Sequence, residues 1–221
     1  MTMRPCQKKF QVVQSLNADF RTVAKTVDAY VKLVLASTSR YRRELLARLG
    51  IPFAVAAPQV DEQRLPGESP ESMAARLACA KALAVAPQFP EALIIGSDQV
   101  AVCNGDTLEK PGNRDRAFRQ LMELSGREAT FHTAVCVHGS KTGITRTRTV
   151  PYRVRFRKFD SAQIERYLAR EQAFDCAGSA KVEGLGIVLI EKMQGDDPNA
   201  LIGLPLIALI ELLREQGMEV V

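Results

Sequence analysis

Between Leu93 and Val102 the chain reads LIIGSDQVAV, an apolar run broken by Gly96-Ser97-Asp98-Gln99. A carboxylate set straight after a buried apolar run is costly to desolvate unless it has a task or a cationic partner. The sequence offers such partners. Arg42 and Arg43 follow Ser37-Thr38-Ser39, and Lys81, Lys110 and Lys181 each stand where a shared cleft could gather them. One acid among separate basic residues and small hydroxyls fits a site for a polyphosphate and a metal.

Each piece also has a plainer reading. Free N–H groups at a helix start, backed by hydroxyls and a guanidinium fork, make an anion site, as Ser37, Ser39 and Arg42 would. Ser and Thr before a helix are more often caps alone, and the GxxxxGK[ST] spacing is absent. Val60-Asp61-Glu62 puts adjacent acids on a loop, where Glu62 is a magnesium-ligand candidate or a solvated carboxylate. Asp98 would be a general base or metal ligand, against a structural ion pair with a lysine. Lys81 lies on an alanine-rich helix, Lys110 precedes Pro111, and Lys181 sits in CAGSAKVEGLG, whose glycines let backbone approach a ligand closely. Taken singly, each lysine reads as a surface residue. His132 and His138 are the only histidines and form no HExxH, and neither GxSxG nor GxGxxG occurs. A hydrolase triad and a dinucleotide enzyme are thereby disfavoured.

The elements that must position these residues follow an α/β grammar. LVLAS from Leu33 predicts a buried strand, Tyr41 to Leu49 a helix closed by Gly50, and Phe53 to Ala56 a second strand. Ser69-Pro70-Glu71 starts a helix expected to reach Val85. Strands are expected at Leu93–Ile95 and Val100–Val102, on either side of Asp98, with a hairpin at Asn104-Gly105. Asn113 would cap a helix through Glu123. Longer strands follow at Ala129–Val137 and Thr145–Arg157. Arg153, Arg155 and Arg157 alternate with Val154 and Phe156, which gives a basic face read as solvated in preference to nucleic-acid binding. Asp160-x-x-Gln163 is a capping box for a helix through Arg170. A strand at Gly186–Ile190 and an amphipathic helix from Leu204 to Glu215, ending at Gly217, complete the pattern.

With 221 residues, 46% hydrophobic and 25% charged, the chain is expected to build one cooperative unit of two lobes. A formal charge of +5 suits an anionic ligand without demanding nucleic acid. Five singly placed cysteines without a CxxC pair argue for reduced thiols and a cytosolic protein. No membrane span or signal-peptide core is expected. Residues 1–31 have only a weak helical pattern and are read as an accessory N-terminal arm, with the main domain over 32–221.

In one order, LASTSRYRRELLARLGI, VDE, ARLACAKA, IIGSDQV, LEKP, LSG, CAGSAKVEGLG and DPNALIGLPL resemble the Maf family of nucleotide pyrophosphatases. The resemblance spans about residues 33–217. It implies an α/β, inosine-triphosphatase-like fold with a mixed curved sheet, flanking helices and a cleft between two lobes. It also implies a cytosolic enzyme, dependent on a divalent metal (Mg2+ or Mn2+), that cleaves a nucleoside triphosphate between its α- and β-phosphates. By position, Asp98 matches the proton acceptor. Arg42, Glu62, Lys81 and Lys110 match the polar site, and Ser37 and Ser39 match the phosphate-proximal hydroxyls. On the implied mechanism Glu62 and Asp98 carry the metal. Dimers are common in the family, so a homodimer is an expected partner state; no membrane or stable nucleic-acid partner is expected.

Three positions bear on the substrate. The branch acting on dTTP and UTP has Arg, Thr and Gln where this chain has Tyr41, Gln99 and Glu183. The YceF-type branch, which acts on 7-methyl-GTP, has an aromatic residue, Gln and Glu. N7 methylation gives guanine a delocalised positive charge that an aromatic face attracts, by ~0.5–2 kcal/mol. Glu183 would accept from the N1 and N2 edge of guanine, and Gln99 would add a base or sugar hydrogen bond. Arg40 stands where a proline usually follows Ser-x-Ser, and Tyr41 where Trp is more usual. The alternatives are a pyrophosphatase for dTTP, UTP or another modified nucleotide, and a septum-inhibiting regulatory or nucleic-acid-binding protein.

Overall fold

The computed structural model describes residues 33–221. The expectation of an accessory arm at 1–31 therefore lies outside the described residues. At the centre is a seven-stranded mixed sheet in the order β2-β1-β3-β5-β6-β7, with β4 paired to β3. Its strands are β1 (Leu33–Ala36), β2 (Ala54–Ala56), β3 (Leu93–Cys103), β4 (Asp106–Leu108), β5 (Glu128–Gly139), β6 (Thr145–Phe156) and β7 (Ile190–Gln194). The β1 strand runs parallel to β2 and β3, and all other pairings are antiparallel. Four buried apolar residues make up β1, as expected of a parallel strand covered on both faces.

The six α-helices of the described residues are α1 (Arg40–Ala47), α2 (Pro70–Val85), α3 (Arg114–Leu124), α4 (Ser161–Leu168), α5 (Pro198–Ile202) and α6 (Leu206–Glu215). Local chemistry starts three of them where the sequence indicated. Ser69 accepts from the Ser72 N–H ahead of Pro70, Asn113 from the Arg116 N–H, and Asp160 and Gln163 form a reciprocal capping box. The sheet alternates its contacts between the layers. Val34, Ala36, Ile94, Ala134 and Cys136 pack with α2, whereas Leu33, Leu35, Ile95, Val135 and Val137 pack with residues of α1 and α6. A third core joins the far ends of β3, β5 and β6 to α3 and α4. On β6, Tyr152, Val154 and Phe156 are buried and Arg153 and Arg155 exposed, as the alternation predicts.

Helix α5 was not expected, and the expected strands depart in two places. Leu93–Ile95 and Val100–Val102 are parts of one eleven-residue strand, with Gly96-Ser97-Asp98-Gln99 inside it. The polar stretch does not break the strand because β5 pairs with it without interruption from Leu93 to Cys103. Gly96 has a packing reason to be there, since a Cβ would lie 2.0 Å from the Ala78 carbonyl oxygen of α2. The expected strand at Gly186–Ile190 is instead a 3-10 turn over Leu185–Leu189, and the strand begins at Ile190. There the Gly186 N–H donates to the Lys181 carbonyl at 2.9 Å, folding the segment back on itself. A Cβ on Gly186 would meet the Lys181 backbone at 2.5 Å.

The pairing of β3 creates the setting for a site. On the edge away from β5, β1 pairs only with Leu93–Gly96 and β4 only with Ala101–Cys103. Residues 97–100 are left without a strand on that edge, beside the carboxyl end of β1. Open α/β sheets bind ligands in such crevices, beyond the ends of parallel strands.

Candidate active site

Asp98 occupies this gap on the α2 face of β3. Helix α2 carries Lys81 against it, and the close approach permitted by Gly96 brings the two within reach. The Lys81 ammonium donates to Asp98 Oδ1 at 2.6 Å and is also 2.6 Å from Glu62 Oε1. Lys81 and Asp98 are buried, whereas the Glu62 side chain is 61% exposed. Asp98 Oδ2 has no hydrogen-bond partner among the described residues. One cation thus joins an interior carboxylate to a loop carboxylate at the mouth of the gap.

The loop carrying Glu62 is itself held. Arg76 of α2 grips Glu68 through both carboxylate oxygens, at 2.6 and 2.8 Å, and donates to the Gln63 carbonyl at 3.0 Å. Those Arg76 hydrogen bonds are the largest influence drawing the Glu68 carboxyl down to about 2. At Glu62, burial pushes the pKa up, but the Lys81 hydrogen bond and the charges of Lys81, Lys110 and Arg42 outweigh it and leave the group below its ordinary value. Lys110, exposed on the segment after β4, therefore belongs to the same electrostatic neighbourhood.

At the start of α1, the Ser39 N–H donates to Ser37 Oγ at 3.1 Å and the Arg42 N–H to Ser39 Oγ at 3.4 Å. Both hydroxyls accept from backbone, so each keeps its own proton to donate. Arg42 Nε donates to the Gly203 carbonyl at 2.8 Å, which fixes the guanidinium at the rim of the gap. Burial lowers the Arg42 pKa, and the charges of Asp98 and Glu62 counteract it. Ser37, Ser39, Arg42, Glu62, Lys81, Asp98 and Lys110 are thus drawn toward one region.

The three positions linked to substrate choice behave differently. Strand alternation sends Gln99 to the opposite sheet face from Asp98. Its amide nitrogen donates to Thr133 Oγ1 and the Ala200 carbonyl, both at 2.9 Å, and to the Leu201 carbonyl at 3.1 Å, leaving only the amide oxygen for a ligand. The Tyr41 hydroxyl donates to Asp175 Oδ2 at 3.1 Å and accepts from Arg40 at 2.8 Å. Chiefly through burial, its pKa is raised to about 12, so the phenol is neutral. The Arg40 guanidinium lies 4.7 Å and the Lys181 ammonium 5.8 Å from the Tyr41 ring centroid. The residue standing in the usual proline position thus braces the aromatic ring. Glu183 is exposed on the loop that follows Lys181, and Glu171 anchors that loop through the Leu185 N–H at 3.0 Å.

Sequence reasoning missed several supports. Ser97, wholly buried, donates toward the Ala134 and Gly203 carbonyls at 2.8 and 2.9 Å, so Gly203 is shared by Ser97 and Arg42. Asp197, also buried, accepts from the Asn199 N–H and the Ile207 N–H and joins α5 to α6. Asp197-Pro198 was a readable helix start, whereas nothing local marks Ser97 or Asp175 as a partner of residues far along the chain.

The two carboxylates suit a divalent cation by chemistry. Magnesium is commonly held by one or two carboxylates plus substrate phosphates, and Asp98 and Glu62 already converge on a positive group. No cluster of three or more His, Cys, Asp or Glu side chains suited to a metal occurs among the described residues. Phosphate oxygens would have to complete the shell. Among the same residues, no helix is long and apolar enough to cross a membrane.

Comparison with known proteins gives one family. Its description is "Maf-like protein", and its model matches residues 32–216. A 7-methyl-GTP pyrophosphatase of Methylobacillus flagellatus is 57% identical over 189 residues, 86% of this chain and 98% of that protein. The protein of the same name from Nitrosospira multiformis is 55% identical over 197 residues, 89% of this chain and all of that protein. The one from Thiobacillus denitrificans is 56% identical over 188 residues, 85% and 94% of the respective chains. Among solved structures, the Staphylococcus aureus Ham1 protein aligns at 16% identity and a TM-score of 0.42, covering 57% of this chain and 71% of that one.

Proposed function

The chain belongs to the Maf-like protein family, and we infer that it is a nucleoside triphosphate pyrophosphatase that hydrolyses 7-methyl-GTP to 7-methyl-GMP and pyrophosphate. Relatives more than half identical over nearly their whole length carry that name. The observation in the structure that best supports the reading is Lys81 bridging Asp98 and Glu62 beside Arg42. Such a site balances charge when an anionic substrate and a cation enter together.

In this reading water attacks the α-phosphorus. An oxygen–phosphorus bond forms, the α–β phosphoanhydride bond breaks in line with it, and pyrophosphate departs with the electron pair. Asp98 accepts the water proton at Oδ2, while Lys81 holds Oδ1 and fixes the carboxylate. Arg42 and Lys110 offset charge gathering on the leaving group, and the Ser37 and Ser39 hydroxyls donate to phosphate oxygens. A divalent metal, held by Asp98 and Glu62, would supply positive charge to the phosphates. For the base, Tyr41 offers an aromatic face to the methylated cationic ring and Glu183 accepts from the guanine edge.

The test is product analysis on 7-methyl-GTP, GTP, dTTP and UTP with magnesium or manganese, using the wild type and Asp98→Asn. Pyrophosphate released from 7-methyl-GTP in preference to the others, and lost in the variant, is the expected result. A preference for dTTP or UTP would overturn the assignments of Tyr41, Gln99 and Glu183.

A further inference from the structure

A cavity of about 270 Å³ lies in the third core region, lined by residues of α4, the segments on either side of it and the 3-10 turn at Leu185–Leu189. Four cations line it, namely Arg157, Lys158, Arg166 and Arg170, and no acidic residue does. None of the four makes an ion pair or a side-chain hydrogen bond among the described residues. Two acids of the adjoining elements are already engaged, Glu165 with Arg114 and Glu171 with Lys181 and the Leu185 N–H. Tyr167 and Leu189 supply buried wall. Four like charges held around one concavity repel one another unless an anion joins them, and a low-dielectric wall strengthens the field between them.

We propose that this cavity is an anion site, separate from the Asp98 gap, that takes a compact oligophosphate group. Three guanidinium forks match phosphate oxygens in bidentate geometry. The volume, about 270 Å³, falls just below the roughly 300–1,000 Å³ of ligand pockets, so it suits a few linked phosphates better than a whole nucleotide. The site touches the catalytic region through one wall. The Tyr167 hydroxyl donates to the Ser179 carbonyl at 3.2 Å and accepts the Lys181 N–H at 3.3 Å, so the cavity shares a residue with the Lys181 loop.

Inorganic tripolyphosphate and GTP would be titrated calorimetrically into the full chain in magnesium-free buffer. The variants are Arg166→Gln/Arg170→Gln, Arg157→Gln/Lys158→Gln and, for the catalytic gap, Lys110→Gln. All the substituted residues are exposed, so folding should be retained. The proposal expects each cavity pair to weaken tripolyphosphate binding about tenfold or more. It also expects Lys110→Gln to leave that binding unchanged, and Arg166→Gln/Arg170→Gln to keep wild-type hydrolysis of 7-methyl-GTP. Equal affinity for the two ligands, both weakened by the cavity pairs, would identify a bare oligophosphate as the natural occupant, and tighter GTP binding weakened by the same pairs a nucleoside polyphosphate. Affinity unchanged in both cavity pairs, or lost through Lys110→Gln alone, would overturn it. Because the readout is binding, it stands or falls independently of the substrate assignment.

Discussion

Lys81 is the residue on which the proposed site turns. Removing one partner of a buried ion pair leaves the other charged and alone, at a cost of about 3–5 kcal/mol. Lys81→Met should therefore lower stability to urea by that order and abolish hydrolysis together. Asp98→Asn keeps an acceptor for Lys81 and should lose hydrolysis by about 10²-fold or more with far less destabilisation. Glu62 adds a pH signature. Its folded pKa is depressed, so between its ordinary value and the lower folded one the unfolded chain binds more protons, and stability rises with pH. That contribution is lost as pH falls, so the difference in urea midpoint between wild type and Glu62→Gln should be constant above about pH 6 and shrink as pH drops from the ordinary glutamate value, about 4.3, through the lower folded value. Asp98 was legible because a carboxylate in an apolar run needs a reason. Its partnership with Lys81, seventeen positions earlier, was only a structural alternative, because sequence carries no distance. The opposite facing of Gln99 was hidden by reading Asp98 as a break between two strands; one continuous strand forces the alternation.

At the scale of elements, the spacing between α2 and β3 sets the site. Gly96→Ala would place a methyl group 2.0 Å from the Ala78 carbonyl oxygen and 2.8 Å from the Ala82 nitrogen, both backbone atoms that cannot swing away. Overpacking of this kind costs about 1–3 kcal/mol, and α2 must retreat, taking Lys81 from Asp98. Reduced thermal stability and reduced kcat should appear together. Arg76→Gln acts on the other support. It frees the loop that presents Glu62 and should lower kcat/KM while leaving α2 folded, as read by far-ultraviolet circular dichroism. The boundaries of α2, α3 and α4 were readable because Ser69, Asn113 and Asp160 cap them through local hydrogen bonds. The turn at Leu185–Leu189 was not, because Gly186 folds onto the Lys181 backbone and an apolar run alone does not distinguish that turn from a strand.

Across the whole molecule, the mixed sheet leaves residues 97–100 of β3 open on one edge, and uninterrupted pairing with β5 on the other edge holds Asp98 there. The α/β class was legible from alternating strand and helix signals. The order of strands was not, because β1 pairs with β3 and β3 with β5 across intervening helices, and only hairpin partners such as β3 and β4 are local in the chain. Every residue assigned to the proposed site lies within residues 33–221, and a chain beginning at Lys32 is expected to retain wild-type kcat/KM for 7-methyl-GTP. The central claim is that water, deprotonated by Asp98, attacks the α-phosphorus of that nucleotide. Its most direct test is hydrolysis of 7-methyl-GTP in oxygen-18 water, with both products weighed by mass spectrometry. The account predicts one labelled oxygen in 7-methyl-GMP and none in pyrophosphate; label in pyrophosphate, or orthophosphate as the product, would contradict it.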